Sequence, residues 1–145
     1  MPTKIFVNLP VKDLNKSVEF FTKLGYTFDP RFTNESATCM IIGEDNFVML
    51  LVEKFFKTFT PKEIADANKT TESIICLSAE SRDEVDKLIN KAVAAGGKTY
   101  RDKEDHGFMY SNAYSDLDGH LWEVMWMDMD AFMEAQSKAA GAVGP

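Results

Sequence analysis

DLDGHLWEVMW, residues 116–126, sets a tight Asp-Leu-Asp-Gly turn directly before a run of large apolar residues broken by one carboxylate, Glu123. A turn of this chemistry feeding such a run predicts a mostly buried strand. A carboxylate inside it is costly unless it is ion-paired, hydrogen-bonded or bound to a metal. The partner of Glu123 is therefore the question that the rest of the chain must answer.

Working outward, the stretch is the end of a pattern that occurs twice. Residues 5–10 form a short apolar run that Pro10 closes, since proline cannot donate to a ladder. Asp13 caps a helix with Leu14, Val18 and Phe21 at helical spacing, and Gly25 stands at its left-handed C-terminal cap. Residues 26–31, 37–42 and 46–52 read as strands, the last two joined through Gly43-Glu44-Asp45. A connecting stretch carries Phe55, Phe56 and Phe59 and a helix start at Thr60-Pro61. Then strand, helix and three strands recur: residues 73–79, a helix opened by the Ser81-Arg82-Asp83-Glu84 capping box and stopped at Gly96-Gly97, and residues 98–101, 107–115 and 120–127. An amphipathic helix from Asp128 through Lys138 ends the pattern, with residues 139–145 expected to fray.

Aligning the halves sets Phe6 on Ser73 and Met49 on Glu123. The chain is read as a single α+β domain of two βαβββ modules, residues 4–53 and 72–127, with a connection at 54–71 and a C-terminal helix and tail at 128–145. Side by side, the modules form a curved, incomplete barrel with a concave cup.

The net charge of −7 disfavours phosphate backbones and anionic lipid surfaces, which excludes nucleic acid as the expected partner. No run of about 18 apolar residues occurs, so a membrane span is not expected either. Cys39 and Cys76 lie in apolar runs without ligand spacing and read as reduced core thiols, and the absence of an export signal points to the cytoplasm. Two Asn-x-Ser/Thr patterns, at Asn34 and Asn68, are then chance matches.

The segments FVNLPVKDLNKSVEFFTKLGY (6–26), CLSAESRDEVDKLINKAVAAGG (76–97) and SDLDGHLWEVMW (115–126) resemble the vicinal oxygen chelate superfamily, which includes glyoxalase I, bleomycin- and fosfomycin-resistance proteins and extradiol dioxygenases. The similarity spans residues 4–128 and is nearest to compact bacterial proteins described as lactoylglutathione lyase-like. It implies a homodimer, since members are often dimers, and a cup where a divalent metal is held by His, Glu or Gln on the first and last strands of the modules. The corresponding positions here are Phe6, Met49, Ser73 and Glu123, a single ligand-type residue among four. A hard divalent ion needs several oxygen or nitrogen donors, so neither a metal nor another cofactor is expected.

If the family's strand register holds, alternation turns Phe6, Asn8, Phe47, Met49, Leu51, Ser73, Ile75, Leu77, Leu121, Glu123 and Met125 into the cup. Ile5, Val7, Leu9, Val48, Leu50, Trp122, Val124 and Trp126 turn towards the helices, and Tyr110 and Asn112 close one wall. Glu123 is either a structural carboxylate bonded to Tyr110, Ser73 or a buried water, or a functional acid with a pKa raised by burial. His120 is a turn-end residue facing away from it. His106 is either an exposed loop histidine or an acid/base group at the pocket edge. The expected function is metal-independent binding of a small apolar or aromatic molecule. The alternatives are a metal-assisted lyase, isomerase or dioxygenase using Glu123 with His106, and an interaction protein contacting partners through Phe55, Phe56 and Phe59.

Overall fold

A computed structural model describes residues 2–143. Strand β1 (Ile5–Val11) pairs in parallel with β4 (Asn46–Val52), whose other edge carries antiparallel β3 (Ala37–Ile41) and then β2 (Thr27–Asp29). The second module repeats this order: β5 (Ile74–Ser78) is parallel to β8 (Leu121–Met127), followed by antiparallel β7 (Met109–Ser115) and β6 (Glu104–Asp105). The result is the expected α+β pair of βαβββ modules, as two four-stranded sheets and no closed barrel.

Each module returns through one helix, α1 (Leu14–Lys23) or α3 (Arg82–Ala94). Local chemistry fixes where they start. The Asp13 carboxylate accepts from Lys16 N at 3.1 Å, and Ser81 Oγ accepts from Glu84 N at 3.1 Å. The box is looser than the ideal, because the Glu84 carboxylate reaches back to Glu80 N rather than to the cap residue's own amide. Gly25 and Gly96, at φ +106° and +112°, end both helices in a conformation that side chains resist.

The helix-facing sides of both sheets share one core. Leu9 and Val11, Val48 and Leu50, Tyr110 and Tyr114, and Trp122 and Val124 meet Phe20 and Phe21 of α1 and Val85, Ile89 and Ala92 of α3. The first module's helix also packs against the second module's sheet, with Phe21 5.3 Å from Trp122 and Phe20 6.2 Å from Tyr114 between ring centroids. The modules are thus tied by burial that neither could achieve alone. The opposite face of each sheet is left for function.

Several expected boundaries move. Asp29 caps a short 3-10 turn, Pro30–Phe32, so β2 stops earlier than residue 31. The expected strand at 98–101 reduces to one bridge, Lys98 to Ser115, and the edge strand forms later as β6. Thr60-Pro61 starts no helix; the helical turns lie earlier, at α2 (Glu53–Phe56) and Lys57–Phe59, and the chain then runs irregularly to β5. Ile5 is exposed at the start of β1 instead of packing on a helix. Helix α4 (Met129–Val143) continues past Lys138 into the segment expected to fray; residues 144–145 lie outside the described residues. Cys39 is buried as expected, but Cys76 is exposed.

Candidate functional site

The register decides which side chains share the cup face. In the first module Phe6 pairs with Phe47 and Asn8 with Met49, opposite in facing to the core residues Leu9, Val48 and Leu50. Leu51 is on this face too, but buried. Phe6 and Phe47 stack at 4.9 Å and 15°. In the second module Ile74 pairs with Leu121, Cys76 with Glu123 and Ser78 with Met125, while Ile75 and Leu77 pack against the core. The expected inward set Ser73, Ile75 and Leu77 is therefore one residue out of phase. The cup-facing residues of β5 are Ile74, Cys76 and Ser78, and Ser73 lies just before the strand.

Tyr110 is also corrected. It pairs with Trp126, is buried on the helix side, and donates its hydroxyl to Asp86 Oδ1 at 2.6 Å, beneath the Arg82 guanidinium 5.0 Å from its ring. Asn112 pairs with core residue Val124 and shares that side. Neither walls the cup.

Three expected ligand contacts do converge. Asn8 of β1, Ser73 and Leu121 of β8 line a cavity of about 360 Å³ where the first module's strand end meets the start of β8. Phe56, Ile64, Thr70 and Thr71 of the connecting segment line it as well. The segment is pressed onto the DLDG turn: a Cβ on Gly119, at φ +88°, would meet Asn68 Oδ1 at 2.5 Å and the Ala67 carbonyl carbon at 3.0 Å. The same turn clasps the first module. Asp118 Oδ1 accepts from Lys12 N at 2.9 Å, and His120 Nε2 lies 2.7 Å from the Pro10 carbonyl oxygen. His120 is thus a junction residue. Asp116 anchors the turn from within by accepting Trp122 Nε1–H at 2.9 Å and the amides of Asp118 and His120; its burial raises its pKa.

Glu123 lies two residues beyond Leu121 on the same face, and its partner is one that the sequence reading missed. Arg101 Nη2 donates to Glu123 Oε2 at 2.8 Å and to Ser111 Oγ at 3.3 Å, while its Nη1 donates to the Asp102 carbonyl at 2.8 Å. The two side chains are 21% and 31% exposed, so the pair is sheltered but reachable. Arg101 arrives from an irregular segment with no periodicity to place it, and only its charge could have marked it. Tyr100 stands alongside, its phenol pKa raised by burial and by the Glu123 charge. Although Cys76 is exposed, partial desolvation on the cup face and the same carboxylate raise its thiol pKa, which argues against a thiolate nucleophile.

His106 is not brought to Glu123. Its amide bonds the Met109 carbonyl, and Met109 is four residues along β7 from Ala113, the partner of Glu123, a separation of about 13 Å along the strand. Its ring lies 3.6 Å from the Glu104 carboxylate in the open.

A metal can be tested against this arrangement. Phe6 pairs two residues before Met49, and the β5 residue pairing two before Glu123 is Ile74, so the four repeat-equivalent positions are Phe6, Met49, Ile74 and Glu123. Two aliphatic or thioether side chains, one aromatic ring and one carboxylate already bonded to arginine do not make a site for a divalent ion. Among the described residues no group of three or more His, Cys, Asp or Glu side chains is placed to hold one.

Comparison with known proteins agrees with the fold and with the resemblance read from sequence. A family model described as bleomycin resistance protein-like N-terminal matches residues 3–43. Among solved structures, a hypothetical protein from S. aureus is 28% identical, with a TM-score of 0.74 over 87% of this chain and 94% of that one. A glyoxalase-related enzyme from Fulvimarina pelagi is 19% identical, with a TM-score of 0.73 over 87% and 88% of the two chains. The fosfomycin resistance protein of Listeria monocytogenes is 18% identical, with a TM-score of 0.64 over 90% and 97%. No curated protein matches the chain. The chain thus has the glyoxalase/bleomycin resistance fold, and its first module carries the N-terminal pattern of the bleomycin resistance-like proteins.

Proposed function

We propose that this protein binds a small apolar or aromatic molecule, without a tightly held metal, in the cavity where its two modules meet. The observation that carries the reading is the convergence of Asn8, Ser73 and Leu121, from both modules, on one concave space of about 360 Å³. That volume is in the range of small-ligand sites, and an apolar wall with a few neutral polar groups is their usual makeup. Phe56, Ile64 and Leu121 supply apolar surface, Asn8 and Ser73 supply neutral hydrogen-bonding groups, and Lys62, Glu63 and Glu72 add charged ones. We also infer a homodimer in the cytoplasm. Exposed apolar residues at the β1 and β5 edges favour the dimer, and two unpaired cysteines fit a reducing compartment. No described helix is long and apolar enough to cross a membrane.

Thermal-shift screening of an aromatic library, together with elemental analysis of protein purified without chelator, tests the reading. Stabilisation by flat aromatics, abolished in Phe56→Ala and weakened in Asn8→Ala, is expected. Stoichiometric metal with nickel- or zinc-dependent glyoxalase activity would replace it with the lyase reading.

A further inference from the structure

A second cavity opens on the helix side of the sheets, again where the modules meet. It measures about 420 Å³ and shares no residue with the cavity lined by Asn8 and Ser73. Tyr26 and Ile42 of the first module and Leu77 and Leu88 of the second line it, and all four pack against the core without being fully covered by it. Their surface is aliphatic apart from one ring. Burial pushes the Tyr26 phenol pKa up to about 12, so its hydroxyl stays protonated and able to donate.

Helix α3 supplies the charged wall. Glu84, Lys87, Leu88 and Lys91 follow the i, i+3, i+4, i+7 spacing of one helical face, and all four line the cavity. The Glu84 carboxylate is engaged by Glu80 N at 2.6 Å. Lys87 is paired only with Asp83, at 3.3 Å with the side chains 71% and 78% exposed, and such a pair is worth little in water. Lys91 has no ion pair among the described residues. In a chain of net charge −7, an apolar floor thus lies beside two available ammonium groups. A purely apolar ligand would leave the ammonium groups unused, and a small anion would leave the floor uncovered.

We infer that this cavity is a second binding site, for a fatty acid-like amphiphile whose unbranched chain lies along Ile42, Leu77 and Leu88 and whose single anionic head is held by Lys87 and Lys91. Chain burial gives affinity that grows with each methylene, and charge-assisted bonds to the head give the preference for an anion.

Titration calorimetry with octanoate, 1-octanol, octyltrimethylammonium and acetate tests it. Octanoate should bind once per chain, about tenfold or more tighter than the other three, the worth of one charge-assisted bond. Decanoate should bind more tightly still. Lys87→Gln combined with Lys91→Gln, at two exposed positions, should cut the preference over octanol to about threefold. Asn8→Ala and Phe56→Ala, which alter the other cavity, should leave it unchanged. Nuclear Overhauser contacts from the octanoate chain to the Ile42 and Leu88 methyl groups should place the ligand. Octanol binding as tightly as octanoate, tighter binding of the cation, contacts to Ile64 or Leu121 instead, or no octanoate binding each overturns the inference.

Discussion

Tyr114 is fully buried among Phe20, Trp122 and the second module's sheet, and its hydroxyl has no partner among the described residues. Burial drives its pKa far up, which means that the phenol stays neutral and still carries an unmet hydrogen-bonding group. Tyr114→Phe should stabilise the fold by about 1 kcal/mol, because it removes a desolvated hydroxyl and leaves the ring packing intact. Urea unfolding measures this; a loss of stability would mean that a buried water satisfies the hydroxyl. Glu123 is the reverse case, a half-buried acid with a partner. Its charge made it visible in the sequence, but Arg101 is 22 positions away and meets it across β7, where the same guanidinium bonds Ser111. A double-mutant cycle on Arg101→Met and Glu123→Gln should give a coupling of about 0.5–1 kcal/mol, the range for a partly exposed pair.

Among the elements, the β6–β7 hairpin is held to α3 by the Tyr110–Asp86 bond and, several times over, by Arg82. Arg82 makes two 2.8 Å bonds to Asp105, bonds the Gly107 carbonyl, and lies over the rings of Tyr110 and Trp126. The guanidinium holds the Asp105 carboxyl well below the usual carboxylate range. With a depressed folded-state pKa, the pair's stabilisation is complete above the ordinary aspartate value of about 3.9 and disappears as pH falls through the lower folded-state value. Trp126 fluorescence should therefore report local loosening below about pH 4, and Asp105→Asn should be loosened already at neutral pH and lose that acid dependence. The connecting segment is fixed by contact instead of charge. Gly119→Ala adds a Cβ into Ala67 and Asn68 at positive φ, whereas Gly25→Ala meets nothing within 4 Å and suffers only backbone strain. Gly119→Ala should cost about 1–3 kcal/mol more than Gly25→Ala in thermal unfolding, and should weaken ligand binding as well. Strands with clear alternation or strong turns, β1, β4 and β8, were legible from sequence. The face of β5 was not: Ile74, Ile75, Cys76 and Leu77 are apolar on both sides, and a one-residue slip in such a run inverts every side chain. Ala67 and Asn68 of the connecting segment pack against Gly119, a contact that no local propensity encodes.

For the whole molecule, the shared core uses up the helix side of both sheets and leaves each cup face to the outside. Strands β1 and β5 are sheet edges, and the apolar residues beside them remain open: Phe6 is 48% and Ile74 50% exposed. An exposed edge with apolar side chains is a pairing template unless something covers it. In the proposed homodimer a second copy would supply that cover, the first module of one protomer meeting the second module of its partner, the two halves of the same repeat. Light scattering should accordingly give twice the 16.3 kDa chain mass. Phe6→Asp and Ile74→Asp should each yield monomers that keep native far-ultraviolet circular dichroism, since neither side chain belongs to the core. Ligand binding distinguishes two roles for that contact. If the dimer completes the cup, the monomeric variants lose affinity although Asn8, Ser73 and Leu121 are untouched; if the cavity is whole within one protomer, they bind as the wild type does. A monomeric wild-type protein with both edges open would refute the assembly outright.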